Sequence, residues 1–139
     1  MTIEFTVDDD RKLYRCSYIG AVDDAEHLAA WIKFIESQRV PQGYLEFIDL
    51  SGLTAATLSP SGLQELAEYR KNHQRRVKVP QKYLILAPSP LGYGLSRMYH
   101  TYVDTPHTNV NFVNHPHEAE KYIADHMQTS CEDKSRSSR

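Results

Sequence analysis

The chain has 139 residues, of which 40% are hydrophobic, 24% charged and 10% aromatic. A single domain of that size buries roughly two-thirds of its unfolded surface, so packing alone can hold its core without a metal or disulfide staple. The 16 Lys and Arg against 18 Asp and Glu leave a formal net charge of -2, which excludes a globally basic nucleic-acid binder. No apolar run approaches the ~18 residues of a membrane span. The acidic run Asp8-Asp9-Asp10 argues against a secretory leader. Cys16 and Cys131 lie far apart in the sequence and are expected to be reduced thiols of a cytoplasmic protein.

Ile3-Glu4-Phe5-Thr6-Val7 alternates apolar and polar residues with period two, the pattern of a half-buried strand. The three aspartates make a turn, and a second strand from Leu13 to Ile19 stops at Gly20, which predicts an antiparallel hairpin. Asp23 and Glu26 form a capping box, and Leu28, Trp31, Ile32 and Ile35 recur at helical spacing until about Ser37. Tyr44 to Leu50 reads as an interior strand. Ser59 as N-cap and Pro60 at the first helical position start a second helix, whose stripe is Leu63, Leu66, Ala67 and Tyr69/Arg70. Tyr83-Leu84-Ile85-Leu86-Ala87 is a continuous apolar run typical of a parallel strand covered on both faces. Ser89-Pro90 starts a third helix, Val110 to Val113 is a short strand, and a last helix begins near Asn114 with Pro116.

The order β-β-α-β-α-β-α-β-α implies an α/β fold. Its sheet is mixed and mostly parallel, with an N-terminal antiparallel hairpin and about four helices packed on it through right-handed crossovers. One domain is expected over residues 1–127. Residues 128–139 lack any aromatic or aliphatic anchor and are expected to be a disordered polar tail.

The stretch from Ile48 to Leu63 is small, hydroxyl-rich and poor in bulky side chains, and it feeds a helix N-terminus. Free N–H groups and the positive dipole end favour an anion there, although the dipole alone contributes only about 0.3–1 kcal/mol. Simple capping of a compact loop explains the same residues. Asp49-Leu50-Ser51-Gly52-Leu53 followed by Ser59-Pro60-Ser61-Gly62-Leu63 resembles the STAS domain of anti-sigma factor antagonists. Ala87 to Tyr99, with its Tyr93-Gly94 and Arg97-Met98 pairs, then Asn111-Phe112 and Glu118-Ala119, resembles a narrower SpoIIAA-like group of bacterial proteins. The resemblance covers roughly residues 3 to 127 and implies the same fold order. It also implies that Ser61, beside Gly62, stands where the antagonists carry a phosphorylated serine. The sequence departs from that pattern in having Thr57 and Leu58 ahead of the serines and Pro60 between them.

Arg97 lies near Tyr93, Tyr99, Tyr102 and His100, and a guanidinium beside aromatic rings suits a carboxylate or phosphate. Pairing of Arg97 with Asp104 or Glu118 is the alternative. Arg70, Lys71, Arg75, Arg76, Lys78 and Lys82 form a basic cluster with no acidic residue between them. It lacks interleaved aromatics, so nucleic acid is not expected to bind it. His115-Pro116-His117 and the set His100, Asp104 and His107 invite a metal, but no CxxC or HExxH pattern is present. No metal, cofactor or catalytic set is expected.

The expected function is that of a non-catalytic regulatory or interaction module. It would contact a protein partner, or a second copy as a homodimer, through the loop 51–63 and the start of helix two. Ser59, Ser61, Gly62, Tyr93, Gly94 and Arg97 are the binding candidates, with Ser61 as a phosphosite. The alternative is a small-ligand binder for a lipid or nucleotide, with an apolar cavity under helix three and an anionic head held near Tyr93 and Arg97.

Overall fold

Strand and helix patterns translate directly into a sheet whose two faces are covered unequally. The structure, a computed structural model, describes residues 2–37, 43–74, 81–103 and 108–137. The elements are β1 (Thr2–Asp8), β2 (Leu13–Asp23), α1 (Asp24–Ser37), β3 (Leu45–Thr57), α2 (Pro60–Gln74), β4 (Gln81–Leu86), α3 (Pro90–Val103), β5 (Thr108–Val113) and α4 (Pro116–Ser137). β1 and β2 pair antiparallel with Phe5 opposite Cys16, and the remaining pairs are parallel, in the order β1-β2-β3-β4-β5. Every crossover steps in the same direction across the sheet, so the right-handed rule puts α1, α2 and α3 on one face. α4 follows the last strand, needs no return crossover, and covers the opposite face.

The larger core lies under α1 to α3 and includes Cys16, Val22, Trp31, Phe34, Ile48 and Leu66. The smaller one joins Leu13, Leu45, Phe47, Leu84 and Leu86 to Ala119 and Ile123 of α4. Along β3, Leu45 and Phe47 therefore face α4, while Glu46 and Ile48 face the other helices. The buried stripe of α1 is centred on His27, Trp31 and Phe34, with Leu28 and Ile35 at its margins. It is rotated from the Leu28-Ile32 stripe that periodicity alone predicts, because His27 finds a partner inside. Trp31 Nε1 donates to the Tyr18 hydroxyl at 2.9 Å, and that hydroxyl lies 2.7 Å from His27 Nε2. The indole can only donate, and of the two possible directions for the Tyr18–His27 bond, donation by Tyr18 to Nε2 is the one that gives the buried hydroxyl proton a partner.

A charged pair sits at the centre of the helical face. Glu46 is 0% exposed and Arg70 4%. Arg70 donates to both Glu46 carboxylate oxygens, one at 3.0 Å, and to the Tyr99 hydroxyl at 3.2 Å. Tyr14 donates its hydroxyl proton to Glu46. The guanidinium also lies over the rings of Trp31, 4.6 Å from the centroid, and Tyr83, at 5.7 Å. Burial pushes the Tyr14 phenol well up, with the Glu46 carboxylate adding to it, so Tyr14 stays a donor.

Three expectations need correction. β2 does not stop at Gly20 but continues to Asp23, with Gly20 at φ 82 beside a register shift. β3 likewise runs to Thr57, so most of the expected loop 51–63 is strand, paired to β2 from Gly52↔Ile19 to Thr57↔Asp23. Arg70 belongs to the core and not to a basic surface, while Arg75, Arg76 and Lys78 lie outside the described residues. α4 spans Pro116–Ser137. No Gly or Pro follows Pro116, so nothing in the sequence stops that helix. Residues 138 and 139 lie outside the described residues.

Replacing Arg70 by Met strands the buried Glu46 charge and is expected to cost about 3–5 kcal/mol in chemical denaturation. The combination Glu46→Leu, Arg70→Met and Tyr14→Phe, which removes the charges and the orphaned hydroxyl together, should recover most of that loss. Burial lowers the His27 imidazole from 6.5 to about 4. The unfolded chain therefore takes up that proton first, and stability falls as pH drops from 6.5 toward 4, by on the order of 3 kcal/mol. His27→Gln keeps an acceptor for Tyr18 and removes the titration, so its stability should fall less over that window.

Candidate functional site

The two short motifs around the join of β3 and α2 each have a definite job in the fold. In Asp49-Leu50-Ser51-Gly52, one Asp49 oxygen accepts the Ser51 N–H at 2.9 Å and the Ser51 hydroxyl at 2.6 Å. This side-chain turn sits where β3 carries an extra residue against β2, between the pairs Ser17↔Asp49 and Ile19↔Gly52. Gly52 then passes so close to β2 that a Cβ would stand 2.8 Å from the Tyr18 carbonyl oxygen. Arg15, over the Phe47 ring, binds the other Asp49 oxygen at 2.5 Å. Burial alone would raise the Asp49 carboxyl, but Ser51 and Arg15 more than offset it and hold it below the ordinary value.

Ser59-Pro60-Ser61-Gly62 starts α2 as the sequence predicts, with Ser59 Oγ accepting the Gly62 N–H at 3.1 Å. The anion site expected there is already filled. Asp24, the first residue of α1, accepts the Ser59 N–H at 2.9 Å and the Ser59 hydroxyl at 2.6 Å. A Cβ on Gly62 would lie 2.2 Å from Asp24 Oδ1, so only glycine leaves room for that carboxylate. The chain supplies its own negative charge to the helix dipole, and Ser59 and Gly62 do not face an external anion. Ser61 differs from both. It is exposed, and its hydroxyl lies 3.1 Å from that of Ser59. With the Ser59 proton committed to Asp24, Ser61 is the donor in that contact.

Arg97 lies 5.7 Å over the Tyr93 ring, and Tyr93 meets Phe112 edge to face at 5.1 Å. Both Tyr93 and Arg97 are exposed on the outer side of α3. Among the described residues Arg97 forms no ion pair, with Glu118 or any other acid, and Asp104 lies outside them. Gly94 has open space where a Cβ would stand, whereas a Cβ on Gly92 would stand 3.3 Å from the Leu50 side chain. Close approach thus belongs to Gly92 alone. Lys71 is exposed and Lys82 half-buried, so the described part of the basic cluster offers little continuous charge.

His115 and His117 stack face to face at 5.4 Å at the start of α4, and His100 packs its ring against Tyr83 and Tyr99. His107 lies outside the described residues, among which no three His, Cys, Asp or Glu side chains meet as metal ligands do. Cys16 is fully buried, and burial pushes its thiol well up, away from the reactive thiolate.

An apolar cavity does lie under α3, walled by Trp31, Leu53, Leu58, Leu63, Leu95 and Tyr99 among others. Its volume is about 50 Å³, well under the roughly 150 Å³ that admits a benzene ring. A lipid chain or a nucleotide base does not fit it, and Arg97 is not among its walls.

Comparison with known proteins agrees with this architecture. No family model matches the chain, and no curated protein matches it. Among solved structures, it resembles an uncharacterized protein of the DUF3478 family from Shewanella loihica PV-4, described as having a SpoIIAA-like fold. The match has a TM-score of 0.56 at 16% identity and covers 88% of this chain and 92% of that one. The chain has a SpoIIAA-like fold. No helix among its described residues is long and apolar enough to cross a membrane. At that identity the likeness reaches the fold alone, so the details of this SpoIIAA-like domain rest on its own geometry.

The sequence read Ser59 and Pro60 as the start of α2 but missed Asp24, whose signal is the second acid of the pair Asp23-Asp24. Asp23 accepts the Glu26 N–H at 2.9 Å as the capping box requires, and Asp24 is thereby left to reach α2. Gly62→Ala should expel that carboxylate and cost roughly 1–2 kcal/mol, the scale of a lost helix cap. Gly94→Ala, in open space, should be neutral or stabilise by up to about 1 kcal/mol through helix propensity. Thermal unfolding of the two variants side by side measures the contrast.

Proposed function

We propose that this SpoIIAA-like domain is a non-catalytic regulatory module of the STAS type. It contacts a protein partner, or a second copy of itself, with the end of the domain where β3 runs into α2, and works in the cytoplasm. The observation that carries the reading is the exposure of Ser61 on a braced frame. Ser59 on one side is committed to Asp24 and the Gly62 N–H on the other to Ser59 Oγ, while Ser61 between them is exposed. Ser51, Thr54, Ala55, Thr57 and Pro60 extend the same exposed edge. These side chains are short, so they lose little rotamer freedom when a partner covers them.

Tyr93 and Arg97 extend the contact onto α3. A Cβ on Gly92 would stand 3.3 Å from Leu50, and Leu95 shares the cavity wall with Leu53 and Leu58, so the first turns of α3 adjoin the β3–α2 join. Among the described residues Arg97 meets no acid, so its donors there suit a carboxylate on the partner. A phosphate on Ser61 would add a charge of ≈ -1.5 to -2 next to Ser59 and its bound Asp24 carboxylate. That repulsion would act on the partner and on the Asp24 contact together, which gives a switch without refolding.

Affinity capture from the source cells with the wild-type chain, Ser61→Ala, Ser61→Asp and Arg97→Ala tests the reading. The expected result is a protein retained by wild type and Ser61→Ala and reduced about tenfold or more, roughly 1.4 kcal/mol, by Ser61→Asp and by Arg97→Ala. Equal capture by all four variants, each with an unchanged unfolding midpoint, overturns it. So does turnover of any metabolite by the purified chain.

A further inference from the structure

We draw no further inference here: the strongest candidate, the outer edge of the two-stranded ribbon that β2 and β3 form beyond the pairs Thr2↔Ile19 and Asp49↔Leu86, is blunted for strand addition by two register shifts, and nothing in the structure shows what covers it.

Discussion

A carboxylate and a guanidinium sealed between the sheet and three helices set the geometry of the larger core. Glu46 sits at the middle of β3 with no exposure, and its charge is tolerable only because Arg70 and Tyr14 reach it. Hydrophobic packing is indifferent to small slides of one helix along a sheet, whereas this pair is not. A shift of α2 by one turn would bury two unpaired charges. Arg70 also orients what surrounds it, since it donates to Tyr99 of α3 and lies over Trp31 of α1 and Tyr83 of β4. One side chain thus ties α2 to both neighbouring helices and two central strands.

The second constraint is local and lies at the opposite end of α2. Asp24 bridges the starts of α1 and α2 through Ser59, and Gly62 is small because that carboxylate needs the space. Together with the Asp49 turn and the close approach at Gly52, this makes the β3–α2 join rigid through its own hydrogen bonds. The residues that carry the family resemblance are largely the ones that build this join. Much of their hydrogen bonding is spent inside the chain, while Ser51, Pro60 and Ser61 stay exposed at the join. An interaction at this end therefore depends on surface shape, hydroxyl groups and the nearby Arg97 cation, not on an open anion pocket.

The unequal covering of the sheet follows from strand order. Three crossovers in one direction stack α1, α2 and α3 together, and the apolar cavity between them and the sheet has a volume of only about 50 Å³. α4 alone covers the other face, against the Leu84 and Leu86 side of β4 and neighbouring strands. Arg15, Asp49 and Ser51 accordingly form a polar network on a part of the sheet where charge stays near water.

Element order, the hairpin, the helix starts at Asp23, Ser59 and Ser89, and the buried stripe of α2 were all written in the sequence. They rest on short-range chemistry: period-two or period-3.6 patterning, and caps that satisfy amides within three or four residues. The length of β3 was not legible, because Ser51 to Thr57 has weak strand propensity and is held by pairing to β2, over 30 residues earlier in the chain. The burial of Glu46 and His27, and the pairing of Arg70 with Glu46, was equally hidden, since a polar residue becomes part of the core only when a distant partner arrives. Occupation of the α2 start by Asp24 belongs to the same class. The sequence determined which residues cap, turn and pack; tertiary structure decided which charges meet, because a charge pair is a property of two segments and neither one encodes it alone.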